Sequence, residues 1–119
     1  MDTAIFRIYM PQAAKVKDEK AGFFKRLLKQ SLSSFLLKQA REDGIEQGMF
    51  YRAISGYLRG KPLVSDMSEV PPPNLPFCIE MIDREGKLTA FVSRNRKFLD
   101  DCRVIIYKAT DVIGGRRET

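Results

Sequence analysis

Residues 77–91 read "FCIEMIDREGKLTAF", and within these fifteen positions the hydrophobic period changes from two to nearly four. Phe77, Ile79 and Met81 alternate with Cys78, Glu80 and Ile82, which is the pattern of a strand with one buried face. From about Glu85 the apolar residues Leu88, Phe91, Val92 and Phe98 fall on one side of a helix running to about Phe98. A strand therefore passes into a helix with almost no loop. Beyond that helix Asp100 and Asp101 make a turn, and "CRVIIYK" (102–108) supplies another strand.

The N-terminal half repeats this order. "TAIFRIYM" (3–10) puts Ala4, Phe6, Ile8 and Met10 on one face and Ile5, Arg7 and Tyr9 on the other, and Pro11 ends it. Residues 11–20 are polar and read as a loop. Phe24, Leu28, Leu32, Phe35, Leu36 and Ala40 then mark one face of an amphipathic helix, taken as continuous from about Phe23 to Asp43 with Gly44 as its stop. Its first turns, "FFKRLLK", form a basic amphipathic segment able to pack in the core or to touch a membrane or partner. "MFYRAISGY" (49–57) is the next strand.

The order strand, helix, strand, strand, helix, strand holds two strand-helix-strand units. With right-handed crossovers these build an α+β, ferredoxin-like βαββαβ fold: a four-stranded antiparallel sheet with two helices on one face. The other face is then left bare, with Ile5, Tyr9, Met49, Tyr51, Tyr57, Cys78, Ile82, Ile105 and Tyr107 as its candidates. Such a face favours oligomerisation or the stacking of a ligand on the sheet. A length of 119 residues fits one domain, residues 1–113, followed by a mobile tail at 114–119.

Composition narrows the chemistry. No apolar run approaches the ~20 residues of a membrane-spanning helix, nor does the N-terminus resemble a signal peptide, so the cytoplasm is the default location. The chain has no histidine, which removes the Ser-His-Asp and Cys-His nucleophile pairs and the usual neutral-pH general base. Cys78 and Cys102 lack metal-ligand spacing and read as reduced thiols. An enzyme would rest on Glu80 or Asp83 alone, and these point to opposite faces of their strand. The net charge is +6, while residues 62–83 hold four acids and no Lys or Arg, so the basic excess lies elsewhere. An anionic partner and a dispersed solvated surface are both consistent with it.

The connection from Leu58 to Pro76 is longer than a hairpin needs. Gly56 and Gly60 let the backbone leave the sheet and approach an anion closely, with Arg59 and Lys61 supplying charge; alternatively Gly56 is a bulge and the two cations are solvated. "VPPPNLP" (70–76) favours extended geometry on the returning limb. No GxxxxGK[ST] or GxGxxG phosphate loop occurs. "SRNRKF" (93–98) carries Arg94, Arg96 and Lys97, which either complement the helix C-terminus or reach a ligand held between subunits.

"FRIYM", "LLKQAREDGI", "FYRAISGY" and "NLPFCIEMIDREGKLTAF" resemble PII-like signal-transduction proteins, within the superfamily of nitrogen-regulatory PII and divalent-ion-tolerance proteins. The nearest resemblance is to a branch whose genes often accompany fluoride-channel genes. That resemblance implies a ferredoxin-like subunit in a homotrimer with its sheets facing inward, and makes residues 58–76 the counterpart of the loop that contacts partners. It further implies small ligands such as adenine nucleotides in clefts between subunits near the base of that loop, and a regulated partner such as a membrane transporter or channel. The expectation is a non-enzymatic trimeric adaptor whose anionic effector meets Gly56, Arg59, Gly60 and Lys61 of one subunit and Arg94, Arg96 and Arg103 of another. A nucleic-acid-binding module using the tyrosine-bearing sheet is the alternative, although the strand motif of RNA-recognition domains is missing.

Overall fold

The computed structural model describes residues 2–14, 31–65 and 75–115. Strand β1 (Thr3–Met10) alternates without a fault: Ala4, Phe6, Ile8 and Met10 are fully buried, and the residues between them are half-buried. Helix α1 (Leu32–Glu42) follows, then β2 (Gln47–Arg52), the short strands β3 (Ser55–Gly56) and β4 (Val64–Ser65), β5 (Phe77–Arg84), helix α2 (Glu85–Asn95) with a 3-10 turn at Arg96–Phe98, and β6 (Arg103–Ala109). The main sheet runs β2-β5-β1-β6, every pair antiparallel, with the two N-terminal-to-C-terminal crossovers made by α1 and α2. Both helices pack on one face, α1 against β2 and β5 and α2 against β5 and β1. This is the ferredoxin-like arrangement expected from the order of periodicities.

The core lies between that face and the helices. Phe6, Ile8, Ile79 and Met81 from the sheet meet Leu36, Leu88 and Phe91 from the helices, all fully buried. Each such side chain contributes roughly 1.5–3 kcal/mol by leaving water. Asp83 is also buried on this side. Its carboxylate accepts from the backbone N–H of Glu46 at 2.8 Å and of Arg84 at 2.7 Å and lies 3.4 Å from Lys87 Nζ, so the loop before β2 is tied to the β5–α2 junction.

Two boundaries differ from the sequence reading. The first helix starts at Leu32, because Ser31 is extended (φ −64°, ψ 145°) and its hydroxyl accepts from the N–H of Ser34. A helix continuous from Phe23 therefore does not form. The "FFKRLLK" segment itself, like "VPPPN" of the long connection, lies outside the described residues. The helix does stop where expected: Gly44, at φ +74°, donates to Arg41 O while Ile45 donates to Ala40 O, a Schellman cap.

The second strand ends at Arg52 and not at Tyr57. Arg52 faces Phe77 on β5, so Ala53 would face Pro76, which has no N–H to continue the ladder. The chain turns out of the sheet there. Ser55 and Gly56 pair instead with Ser65 and Val64 in a separate two-stranded ribbon, and Tyr57 is 70% exposed on it. Tyr57 is thus the one candidate that does not belong to the bare sheet face. The other eight do, in rows across β2, β5, β1 and β6 such as Gln47–Ile82–Ile5–Tyr107 and Tyr51–Cys78–Tyr9–Arg103.

Candidate functional site

A hollow forms where the central ladder stops. Strands β1 and β5 pair from Thr3–Arg84 to Met10–Phe77, and one step further the register brings Pro11 opposite Pro76. No main-chain hydrogen bond crosses at that rung, because Glu85 N–H to Asp2 O sets the bonded rungs at the even positions of β1. The chain then turns over residues 11–14, with Ala14 N–H donating to Pro11 O at 3.0 Å, and the two chains part. A cleft of about 670 Å³ occupies the opening, lined on one side by Tyr9, Met10 and Gln12 and on the other by Leu75 and Pro76. Leu58, from the start of the long connection, and Asp101 and Arg103, from the approach to β6, complete the wall. Both limbs of the β2–β5 connection therefore reach the same cleft.

The lining is mostly apolar, with an aromatic ring at Tyr9 and one cation at Arg103. Its size suits a small organic molecule, and such sites fix orientation with a few polar groups set among apolar ones. A second hollow of about 500 Å³ on the bare face shares Tyr9 and Pro76 and is otherwise lined by Arg7, Tyr51, Arg52, Ala53, Cys78 and Glu80. Hydrogen bonding to Tyr9, and then to Glu80, pushes the Arg7 guanidinium further up from its ordinary value, so its charge is permanent. Burial pushes the Cys78 thiol up, which leaves it protonated and a poor nucleophile at neutral pH.

The residues singled out for charge are scattered. Arg59 and Lys61 sit on the turn of the β3–β4 ribbon, closed by Lys61 N–H to Leu58 O at 2.9 Å, with Gly60 at φ +76°. Gly56, at φ +148°, pairs with Val64 at the ribbon's base. Arg94 lies on the helix layer and its guanidinium meets Asp43 at 2.7 Å, joining the ends of α2 and α1. Arg96 is exposed on the 3-10 turn. Of the seven, Arg103 alone lines the cleft. Gln12 and Leu75 were not singled out by the sequence, Tyr9 was named only as part of the bare face and Asp101 only as part of a turn; what brings them together is the place where β1 and β5 part.

Among the described residues no group of His, Cys, Asp and Glu could hold a metal ion, and no helix is long and apolar enough to cross a membrane.

A sheet in this order with two helices on one face is the ferredoxin-like fold. The chain belongs to the DUF190 family, described as "Uncharacterized ACR, COG1993", whose model matches residues 4–111. Among solved structures it is similar to CPII, a nitrogen regulatory PII-like protein from Thiomonas intermedia K12, solved bound to ADP, AMP and bicarbonate. That likeness has a TM-score of 0.55 at 10% identity and covers 92% of this chain and 87% of CPII, which makes it a likeness of fold. No curated protein matches the chain.

Proposed function

We propose that the chain is a PII-like signalling adaptor and not an enzyme, with residues 1–113 acting as one domain in the cytoplasm. It binds a small anionic effector, with an adenine nucleotide first among the candidates, in the cleft at the end of the β1–β5 ladder. The observation that carries this reading is the position of the cleft: Leu58 and Leu75 lie on the outgoing and returning limbs of the long connection, and both form its wall beside Arg103. An effector held there contacts both limbs at once. It can shift the connection between states in proportion to the contacts it makes in one and lacks in the other. The fold-level neighbour CPII was solved with ADP and AMP, which supports nucleotides as the first probes.

The bare face supports assembly as a homotrimer. Met49, Tyr51, Ile105 and Tyr107 are each between a third and a half exposed there, more apolar surface than a monomer ordinarily leaves in water. In a trimer the ribbon cations Arg59 and Lys61 become available to a cleft on a neighbouring copy, whereas Arg94 and Arg96 lie on the helix-bearing side, away from the bare face. The partner, a membrane transporter or channel, would be read through the β2–β5 connection. The nucleic-acid alternative is weakened by the sheet itself, because Arg7, the cation at its centre, is paired with Glu80.

Thermal shift with ADP, AMP, ATP and bicarbonate tests the reading. Ligand at a hundredfold excess over its Kd stabilises by about 2.7 kcal/mol, and Arg103→Ala should reduce the shift while light scattering of the wild type gives three copies. A wild-type protein indifferent to every one of these ligands would sink the sensor role.

A further inference from the structure

We propose that Gln12 is a positioning residue for the cleft, holding Leu75 in place as a wall for the bound molecule; the inference rests on the effector-binding reading above. The geometry is unusual for the end of a ladder. Met10 faces Phe77, and continuing the register puts Pro11 opposite Pro76 and Gln12 opposite Leu75. In a regular antiparallel pair, main-chain groups would bond across alternate rungs at the ~4.8 Å strand spacing, here at Met10–Phe77 and again at Gln12–Leu75. The middle rung carries no main-chain bond, and the turn over residues 11–14, closed by Ala14 N–H to Pro11 O at 3.0 Å, takes the Gln12 main chain out of the bonded rung that would follow. One rung on, the side chain of Gln12 takes over the role, its Nε2 donating to Leu75 O at 2.9 Å.

That substitution has a structural effect. A glutamine side chain reaches across a gap that main-chain groups would have to close, so the bond ties the chains together while leaving room between them. The room is the cleft, and Gln12 and Leu75 both line it. Leu75 is 3% exposed, and its backbone is confined to extended conformations by the proline that follows it. Its backbone is therefore held from two directions, by Pro76 along the chain and by Gln12 across the opening, and the side chain is placed by it. Without the tie, the wall that a ligand would meet has to be ordered at the moment of binding, and that cost appears as lost affinity.

Isothermal titration of the full chain with ADP and AMP tests the role. Gln12→Met keeps the length of the side chain and removes the donor. It should weaken binding about tenfold, the size of one net hydrogen bond, while the ligand-free melting temperature and circular dichroism stay near wild type. Leu75→Ala should weaken binding as well, and the double variant should bind no worse than the poorer single one, because Gln12 acts through Leu75. If Gln12→Met does not fold, Gln12→Glu, which exchanges the donor for an acceptor, carries the same expectation. Wild-type binding with Gln12→Met within twofold of it, or losses that multiply in the double variant, would overturn the positioning role and leave the effector site standing. A wild type that binds neither nucleotide would overturn both.

Discussion

Arg7 and Glu80 face each other at the centre of the sheet, on directly opposed positions of β1 and β5, with Arg7 Nε donating to Glu80 Oε2 at 3.0 Å. The guanidinium also lies 5.6 Å from the ring of Tyr107, so it is held from two sides on a face that is otherwise largely apolar. The pair leaves the middle of that face without net charge, which allows like copies to approach. Glu80→Ala exposes an uncompensated cation there. Under the proposed trimer, this variant should dissociate at concentrations where the wild type stays assembled, as measured by light scattering, with little change in the melting of the separated chain. Undiminished assembly of Glu80→Ala would mean that copies meet elsewhere.

The carboxylate of Asp83 serves the fold, and its removal should show in stability. Asp83→Ala strands the backbone donors of Glu46 and Arg84 and takes away the partner of Lys87. Leaving part-buried donors unpaired costs less than the about 1–3 kcal/mol of a fully buried one, and Lys87 keeps Gly44 O as a partner, so a loss of about 2 kcal/mol in denaturant titration is expected. Asp83→Asn keeps one acceptor and should lose less.

Two glycines should respond in opposite directions to alanine. Gly44 closes α1 at φ +74°, where an added Cβ is strained and would stand 3.4 Å from Lys87 Nζ, so Gly44→Ala should destabilise by about 1 kcal/mol. Gly86 lies in the first turn of α2 with open space around it, and Gly86→Ala should stabilise by about 0.4–1 kcal/mol. Equal effects at the two sites would contradict the cap geometry.

The thiols give a pH test and a report on assembly. Burial, as the leading cause, pushes both Cys78 and Cys102 above the ordinary value of 9.0. The folded state thus favours the protonated form: its contribution to stability is complete below pH 9 and declines as the pH rises through the folded values. Alkylation at pH 8 should be much slower in native than in unfolded protein. Cys78 stands on the bare face between Tyr9 and Tyr51, whereas Cys102 packs against the core from the helix side. Assembly through the bare face should therefore slow Cys78 further and leave Cys102 unchanged.

The sequence disclosed each element of the main sheet and both helices because burial on one face imposes a period on the chain. In β1 that face is completely dry, and its boundaries could be read to the residue. In β2 the period carries no such information. All six of its residues are exposed on an edge strand, the alternation runs on through Ile54, and the true limit is set by Pro76 on the neighbouring strand. The start of α1 was hidden for a related reason: the apolar stripe passes Ser31 in phase, and only the capping bond to Ser34 shows the break. Charge drew attention to Arg59, Lys61, Arg94 and Arg96, which lie apart, while the cleft is built largely of uncharged residues joined by register. Gln12 and Leu75 have no signature in one dimension.

Pro76 gives the β2–β5 ladder an end of a different kind from the sheet's frayed edges. Salt, acid, heat and denaturant all move the limits of a ladder that stops because its last bonds are weak. Here the limit is covalent, since no condition supplies a proline with an amide hydrogen. The point at which the chain leaves β2 for the long connection should therefore stay at the same rung from one environment to the next.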